Sequence, residues 1–327
     1  MNEGILKFLT ELIAFKSVSS DKNQAENSRK AAEFIKSYLE VLGTNVKLIE
    51  NEVKGKNPLI FGKLGEDTAK KTILFYSHYD VQPAEKEDGW DTEPFELTEK
   101  DGYLYGRGTD DDKGPIAATI YAIKELLDED KDLPVNIRFL YEGEEESGSE
   151  GFEEAVTKNK DFFGHVDGIL ILDTSWFTDN HPSLDYGFRG ISYLAVEITG
   201  PKQDQHSGMV GGTIQEPMTD LVFILSKLID QTGKVLIKGF YDKVNPLTDE
   251  ERILYENLEF SLDEYKQSLG VERVLVEDSI QTLMQHIILM GIFRIFSGRE
   301  AFSCARVREL FPSYVQDIGW KDMIVDH

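Results

Sequence analysis

The chain has 327 residues, enough for two ordinary domains with hydrophobic cores of their own. Apolar residues make up 40% and charged residues 29% of it, a composition typical of folded globular proteins rather than disordered ones. With 60 acidic and 35 basic residues the net charge is -25, which argues against nucleic-acid and anionic membrane partners. The single cysteine, Cys304, excludes an internal disulfide framework and favours a cytoplasmic protein.

Helices and strands are predicted to alternate along the first 172 residues. Residues 1–15 carry acidic groups within their apolar stretch, so we expect a first helix at about 3–15 rather than a signal peptide. Apolar residues at helical spacing predict further helices at about 26–42, followed by a capping Gly43, and at 115–127. Short apolar runs predict strands at 46–49, 59–61, 72–76, 135–141 and 168–172. This alternation predicts an α/β fold with a largely parallel sheet.

The pattern changes near residue 191. A strand is predicted at 191–198 and a helix at about 219–229, after a polar, glycine-rich turn. We place a domain boundary at 188/189, which gives two domains, 1–188 and 189–327. No apolar run in the sequence approaches the length of a bilayer.

Histidine and acidic residues follow three of the predicted strands. His78 and Asp80 follow the strand predicted at 72–76, Glu142–Glu146 follow the strand at 135–141, and Asp173 follows the strand at 168–172. A fourth group, Asp110–Asp112, precedes the helix predicted at 115–127. Because the carboxyl ends of parallel strands meet at one edge of a sheet, we expect these side chains to lie together. Imidazole and carboxylate ligands without a thiolate suit zinc or manganese.

Each of these features has a simpler explanation when taken alone. Three aspartates before a helix would cap it, a glutamate run would form a solvated loop, and Asp173 would cap a turn. Their joint occurrence favours a metal site, because so many carboxylates would repel one another without a cation. A nucleophilic mechanism is the weaker alternative, since Cys304 has no histidine near it in sequence and Ser147 is not in a nucleophile-elbow pattern.

Several segments carry motifs of a known family. They are Ser77–Pro83, Tyr105–Pro115, Glu142–Ser149, Asp173–Trp176, Tyr186–Gly190, Asp204–Gly208 and Phe240–Glu251. Together they resemble the dizinc aminoacylase–dipeptidase–desuccinylase superfamily, in its carnosinase and cytosolic non-specific dipeptidase branch. The resemblance covers about residues 5–280. It implies a zinc-exopeptidase-like catalytic domain followed by a smaller α+β dimerisation (lid) domain.

The resemblance also implies a dinuclear metal site. His78 and Asp173 would bind one metal ion, Glu146 would bind the other, and Asp111 would bridge both. The implied cofactor is Zn2+, two ions per subunit, with Mn2+ or Co2+ as alternatives. A cis peptide bond after Asp111 is a further feature that the resemblance implies.

The implied reaction is hydrolysis of dipeptide amide bonds by a hydroxide that bridges the two ions. Glu145 would be the general base, and Asp80 would orient His78. His206, on the second domain of a homodimer, would polarise the scissile carbonyl in the partner subunit's site. A related deacylase or desuccinylase of small N-acyl substrates, and a catalytically impaired metal-binding fragment, remain alternatives.

The pattern departs from the family late in the chain. The family's last metal ligand, a histidine, has no match here, and beyond about residue 284 the sequence diverges, although Gly291–Phe293 fits a second-domain strand. This predicts a truncated or frame-shifted member with an incomplete second domain and little or no peptidase activity. The remaining candidates for a replacement ligand are His165, His181, His286 and His327.

Overall fold

A computed structural model describes residues 3–129, 132–173, 191–274 apart from positions 232, 243, 245 and 259, and 292–295. The chain divides into two compact units, Met1–Ser175 and Trp176–His327. The predicted boundary at 188/189 lies outside the described residues, as do Cys304, His181, His286 and His327. Within the described ranges, none of the helices has the length and apolar character that crossing a membrane requires.

The first unit combines helices with a mixed β-sheet. Its described helices are α1 (Glu3–Ala14), α2 (Ala25–Val41), α3 (Lys113–Asp128) and α4 (Phe152–Asn159). Its described strands are β1 (Asn45–Ile49), β2 (Leu59–Leu64), β3 (Lys71–His78), β4 (Thr98–Lys100), β5 (Tyr103–Tyr105), β6 (Val135–Glu142) and β7 (Gly168–Ile171).

The main sheet has the strand order β1-β2-β6-β3-β7. Strand β3 pairs in parallel with β6 and with β7, whereas the β1–β2 and β2–β6 pairs are antiparallel. Register places His78, the last residue of β3, opposite Glu142, the last residue of β6. The carboxyl ends of β3, β6 and β7 therefore share one edge, and the predicted α/β fold is confirmed. The sheet is mixed, with two parallel and two antiparallel strand pairs, rather than largely parallel, because β1 and β2 join it as antiparallel strands.

Apolar side chains bury both faces of this sheet. Helices α1, α2 and α3 cover one face, where Phe139 and Tyr141 of β6 join Phe8 and Leu12 of α1. Leu140, between those two β6 residues, packs on the opposite face in the cluster that includes α4. Alternation along β6 thus follows the two-residue period of a strand, and both faces are apolar, as expected for strands covered on both sides.

Most predicted elements of the first unit are found close to their predicted bounds. Strands β3 and β6 run further than predicted, to His78 and Glu142. The β4–β5 hairpin was missed, although its two-residue turn, Asp101-Gly102, has the positive φ angles (55° and 84°) that this dipeptide favours. Helix α4 was missed as well.

The described second unit contains short helices and one parallel strand pair. Its elements are β8 (Ile191–Leu194), α5 (Ser207–Val210), α6 (Pro217–Leu225), α7 (Asp249–Glu256), α8 (Leu262–Leu269) and β9 (Ile292–Ile295). Strand β9 overlaps the strand expected at Gly291–Phe293, of which Gly291 lies outside the described residues, and it pairs with β8.

Helix α6 is shorter than the predicted helix at about 219–229. It begins earlier, at Pro217, because the Glu216 carboxylate caps it by accepting the Thr219 N–H. It ends at Leu225, where the backbone changes to tighter turns in which the Lys227 and Leu228 N–H groups donate to the carbonyl oxygens three residues before them. Ile229 then forms an isolated antiparallel bridge with Val235. Helices α7 and α8 were not predicted, although Thr248 and Glu251 form a capping box at the start of α7.

Candidate metal centre

The imidazole of His78 lies among carboxylates at the carboxyl edge of the sheet. The residue is fully buried. Its Nδ1 lies 3.0 Å from the Asp80 carbonyl oxygen and 3.4 Å from Asp80 Oδ1. Its Nε2 lies 2.7 Å from Asp111 Oδ1 and 3.8 Å from Asp173 Oδ2. Burial lowers the pKa of His78, but Asp111, Asp173 and Asp80 together raise it well above the usual imidazole range.

Three of the predicted site residues form a group of metal-ligand type. One ligand atom each from His78, Glu145 and Asp173 lies within 4.8 Å of the others. Histidine is buried in this group and the two carboxylates are half-buried. One imidazole with two carboxylates suits Zn2+ or Mn2+, and a cation would offset the repulsion between the acidic groups. The residues present therefore fit a divalent metal ion.

Glu145 begins a short 3-10 helix, Glu145–Ser147, which Gly143 and Glu144 connect to the end of β6. The Asp80 carboxylate accepts the backbone N–H of Glu145 at 3.2 Å and that of Glu146 at 3.1 Å. Burial, opposed by His78 and reinforced by Asp173 and neighbouring carboxylates, raises the pKa of Glu145 to about 7. A carboxylate of this kind can accept and return a proton near neutral pH.

Glu146 faces Gln82 instead of the three-residue group. Its carboxylate accepts the Gln82 backbone N–H at 3.1 Å and the Gln82 side-chain amide at 2.8 Å. The same amide donates to the Glu146 carbonyl at 3.1 Å. The metal-ligand role of Glu146 and the base role of Glu145 stay predictions.

The three consecutive aspartates have three different surroundings. Asp110 is exposed, whereas Asp111 contacts His78 with a side chain that is 57% exposed. Asp112 is fully buried, accepts the His78 backbone N–H at 3.0 Å, and has its pKa raised to about 7 by burial. The peptide bond between Asp111 and Asp112 is cis, as the family resemblance implied. The contact between Asp111 and His78 supports Asp111 as the triplet member that faces the metal site.

Lys113 was not singled out from the sequence. It is fully buried, and its Nζ donates to the carbonyl oxygens of Leu12 (3.0 Å) and Phe15 (2.8 Å) at the C-terminal end of α1. Burial, partly opposed by Asp80, lowers the pKa of Lys113 to about 7. A lysine in the first turn of a helix is electrostatically unfavourable, because the helix dipole is positive at that end. The position of Lys113 just before the predicted 115–127 helix could therefore have indicated that it is held by other contacts.

Neither His206 nor His165 belongs to the group of His78, Glu145 and Asp173. His206 is exposed in the second unit, where it caps α5, and its Nδ1 accepts the Gly208 N–H at 3.0 Å. In the neutral ring the proton is then on Nε2. Its action on a partner subunit stays a prediction. His165 is exposed, and its Nε2 lies 3.6 Å from Asp167 Oδ1. The Asp167 backbone N–H donates to the Thr72 carbonyl oxygen near the start of β3, so His165 lies at the end of that strand away from His78.

Comparisons with known proteins agree with the predicted family. The model of peptidase family M20/M25/M40 matches residues 74–287. The beta-Ala-His dipeptidase of Rattus norvegicus is 48% identical over 259 residues, which cover 79% of this chain and 52% of that protein. The Cys-Gly metallodipeptidase DUG1 of Candida albicans is 41% identical over 321 residues, covering 94% of this chain and 66% of that protein.

Solved structures give the same result. The crystal structure of human carnosine dipeptidase 1 is 40% identical with a TM-score of 0.74, over 87% of this chain and 62% of that chain. The structure of Dug1p from Saccharomyces cerevisiae is 36% identical with a TM-score of 0.73, over the same shares. The chain thus spans about half the length of the beta-Ala-His relatives and less than two thirds of these structures. The predicted family and its dipeptidase branch are confirmed.

Proposed function

We propose that this chain, which belongs to peptidase family M20/M25/M40, hydrolyses the amide bond of dipeptides with bound divalent metal ions. The observation that carries the proposal is the group of His78, Glu145 and Asp173, with ligand atoms within 4.8 Å of one another. The names of its relatives, beta-Ala-His dipeptidase and Cys-Gly metallodipeptidase, support dipeptides as the substrate class.

In this proposal His78 and Asp173 would hold one ion, Glu146 a second, and Asp111 would be shared by both. Zn2+ is the proposed metal, with Mn2+ and Co2+ as alternatives. The contacts of His78 Nδ1 with Asp80 support this assignment, because they direct Nε2 toward Asp111 and Asp173. When bound, such ions acidify water and polarise a substrate carbonyl.

Glu145 would move the proton. As a water oxygen attacks the scissile carbonyl carbon, the Glu145 carboxylate would accept the proton that the water loses. It would then give this proton to the amide nitrogen as the carbon–nitrogen bond breaks, so that an amino acid leaves as the amine. Its place beside His78 and Asp173, and the hydrogen bond from its N–H to Asp80, support this role.

The proposal extends to a cytoplasmic homodimer in which His206 of one subunit would act on substrate held by the other. His206 would donate from Nε2 to the carbonyl oxygen and stabilise its developing negative charge. The Gly208 N–H supports this role, since it occupies Nδ1 and leaves Nε2 as the protonated nitrogen of a neutral ring.

A second candidate is a metal-binding chain without turnover. It is favoured by the contacts of Glu146, whose carboxylate accepts N–H groups of Gln82 instead of facing His78, and it corresponds to the little or no peptidase activity that the sequence predicted. The number of bound ions separates the two candidates: two tightly held ions per chain favour the enzyme, and one or none favours the metal-binding chain.

The test is an assay of metal-stripped protein reloaded with Zn2+, Mn2+ or Co2+. Its substrates are beta-Ala-His, Cys-Gly and matched N-acyl amino acids, and bound metal is counted in the same samples. We expect dipeptide hydrolysis that disappears with a chelator and returns with metal. Hydrolysis of N-acyl substrates alone would identify a deacylase instead. Metal binding without hydrolysis of any substrate would reject the enzymatic proposal.

A further inference from the structure

The connection between β1 and β2 lies against the segment that carries Glu145. We call residues 50–58 the anchor loop. Strand β2 runs antiparallel to β6, with Ile60 opposite Tyr141. The residues just before β2 therefore lie beside those just after β6, and the anchor loop meets the segment 143–150.

Hydrogen bonds join the two segments along their length. The Asn57 backbone N–H donates to Glu144 Oε1 at 2.8 Å, and the Asn57 side-chain amide donates to the Gly143 carbonyl at 2.8 Å. Lys56 Nζ donates to Glu144 Oε2 at 2.9 Å. At the far end, the Asn51 amide donates to the Glu150 carbonyl at 2.9 Å.

Glu144 is the centre of this contact. Its side chain is 3% exposed, and besides Asn57 and Lys56 it accepts the Ser147 hydroxyl at 2.8 Å. Its carbonyl oxygen accepts the backbone N–H groups of Ser147 (3.1 Å) and Ser149 (2.8 Å). Because three donors, one of them the Lys56 cation, bind this buried carboxylate, the Glu144 side chain has a fixed orientation. The turn from Glu144 to Ser149 is therefore fixed as well.

Tyr79 holds the same segment from the core. Its hydroxyl donates to the Pro58 carbonyl of the anchor loop at 2.5 Å, and the residue is fully buried. Its ring lies so close to Gly143 that a Cβ on that glycine would be 2.4 Å from Tyr79 Cζ. Gly143 therefore leaves room for close packing that any larger residue would prevent.

Glu145 follows directly on this fixed segment. Its own N–H is held by Asp80 at 3.2 Å, and the preceding residue, Glu144, is held by the anchor loop. The backbone of Glu145 is thus fixed directly by Asp80 and, through Glu144, by the anchor loop. We propose that Glu144 and the anchor loop position the Glu145 carboxylate toward His78 and Asp173.

Glu144 is a positioning residue in this proposal, because its carboxylate binds Asn57, Lys56 and Ser147. The proposal rests on the proposed function of Glu145 as the base. Misplacement of a reacting group by about 1 Å can lower a rate about 100-fold, so a small shift of the turn would be measurable.

The test is Glu144→Gln in the full chain, which keeps the side-chain shape and puts an amide NH2 opposite a donor. We expect faster amide hydrogen exchange at Glu145 and Glu146, by about 10-fold or more, and a fall in kcat of about 10- to 100-fold. KM and zinc content should stay at the wild-type values, which a general loss of structure would not allow.

Glu150→Gln is the matched control. Glu150 also contacts Lys56, at 3.4 Å, but its side chain is 60% exposed. We expect this variant to keep wild-type exchange and kcat. If Glu144→Gln does not fold, Lys56→Met replaces it, with a smaller change of the same sign, because the Asn57 and Ser147 donors to Glu144 remain.

Two results would overturn the proposal: unchanged exchange at Glu145 in the Glu144 variant, or an equal effect of the Glu150 substitution. Failure of the proposed function has a different signature, namely a wild-type chain that hydrolyses no dipeptide. In that case kcat cannot be compared, and faster amide exchange at Glu145 in the Glu144 variant would be the test of whether Glu144 positions Glu145.

Discussion

The metal-site edge of the first unit and the His206 turn of the second unit fix their polar residues in different ways. At the edge, contacts join distant parts of the chain, as when Lys113 donates to the Leu12 carbonyl or Asn57 donates to Glu144. In the second unit, the contact of His206 is with Gly208, two residues away. Glu216 likewise binds Thr219, three residues away.

Side chains in the two regions are therefore oriented in two ways: by contacts between distant segments in the first, and by contacts within one turn in the second. The groups at the edge have their geometry only when the first unit is folded, because β2, β3, β6 and α1 all contribute to it. The orientation of the His206 ring depends on a hydrogen bond within its own turn, from the Gly208 N–H. Substitutions at the edge should therefore affect metal binding, catalysis or folding, whereas substitution of His206 should leave both folding and the metal site intact.

Glu145→Ala is expected to have the largest effect. Removing the proposed base should lower kcat by about 100- to 10,000-fold. Zinc content should be nearly unchanged, because in the proposal the metal ligands are other residues. Steady-state kinetics and metal analysis of one preparation test this. An active variant would disprove the base role, and loss of metal would identify Glu145 as a ligand.

Gly143→Ala should destabilise the first unit. The new methyl group would lie 2.4 Å from the buried Tyr79 ring, and such overpacking costs about 1–3 kcal/mol of unfolding free energy. Urea unfolding measures this cost. Gly168→Ala is the control, because a Cβ at Gly168 would meet Ile73 Cδ1 at an ordinary 3.5 Å. Equal stability of the two variants would contradict the predicted packing.

Asp80→Asn should weaken metal binding. The Asp80 carboxylate accepts the N–H groups of both Glu145 and Glu146 and lies 3.4 Å from His78 Nδ1. Loss of such a supporting contact typically lowers metal affinity about 10- to 100-fold. Competition with a zinc chelator measures the affinity.

The control for Asp80 is Asp167→Asn, near the other end of β3. There the carboxylate accepts Lys71 Nζ at 2.7 Å and the Thr72 N–H at 2.9 Å. We expect wild-type zinc affinity in this variant. A loss as large as that of Asp80→Asn would mean that general destabilisation, and not the contacts of Asp80, weakens metal binding.

His206→Ala should have the smallest effect on folding. Because His206 is exposed and its contact is the local cap of a short helix, we expect a change of about 0.5–1 kcal/mol in unfolding free energy and no change in zinc content. A larger loss of stability, or loss of zinc, would remove the distinction between the two regions.

The grouping of site residues could be predicted from the sequence because it follows from strand direction. His78 ends a strand and Asp173 lies just beyond another, so a parallel sheet brings them to one edge. The motif Tyr105–Pro115 likewise predicted Asp111 close to His78, as observed at 2.7 Å.

The division of labour among the glutamates could not be predicted from strand direction. Glu144, Glu145 and Glu146 are adjacent and chemically identical, yet one binds the anchor loop, one faces the metal site and one faces Gln82. Glu145 and Glu146 are placed by contacts with Asp80 and Gln82, which follow β3. The Glu144 contact depends on the antiparallel register between β2 and β6, which brings Asn57 beside Glu144 from 87 positions away. The residues around Glu144 do not indicate that pairing, so it could not be predicted from the local sequence.

Zinc titration of the wild-type chain and of His78→Gln, with circular dichroism to verify folding, tests the central claim most directly. His78 is the buried imidazole at the centre of the proposed metal site. We expect the wild-type chain to bind zinc and the variant to lose at least one ion per chain, with the fold retained. A folded variant that binds as much zinc as the wild type, with equal affinity, would contradict the account.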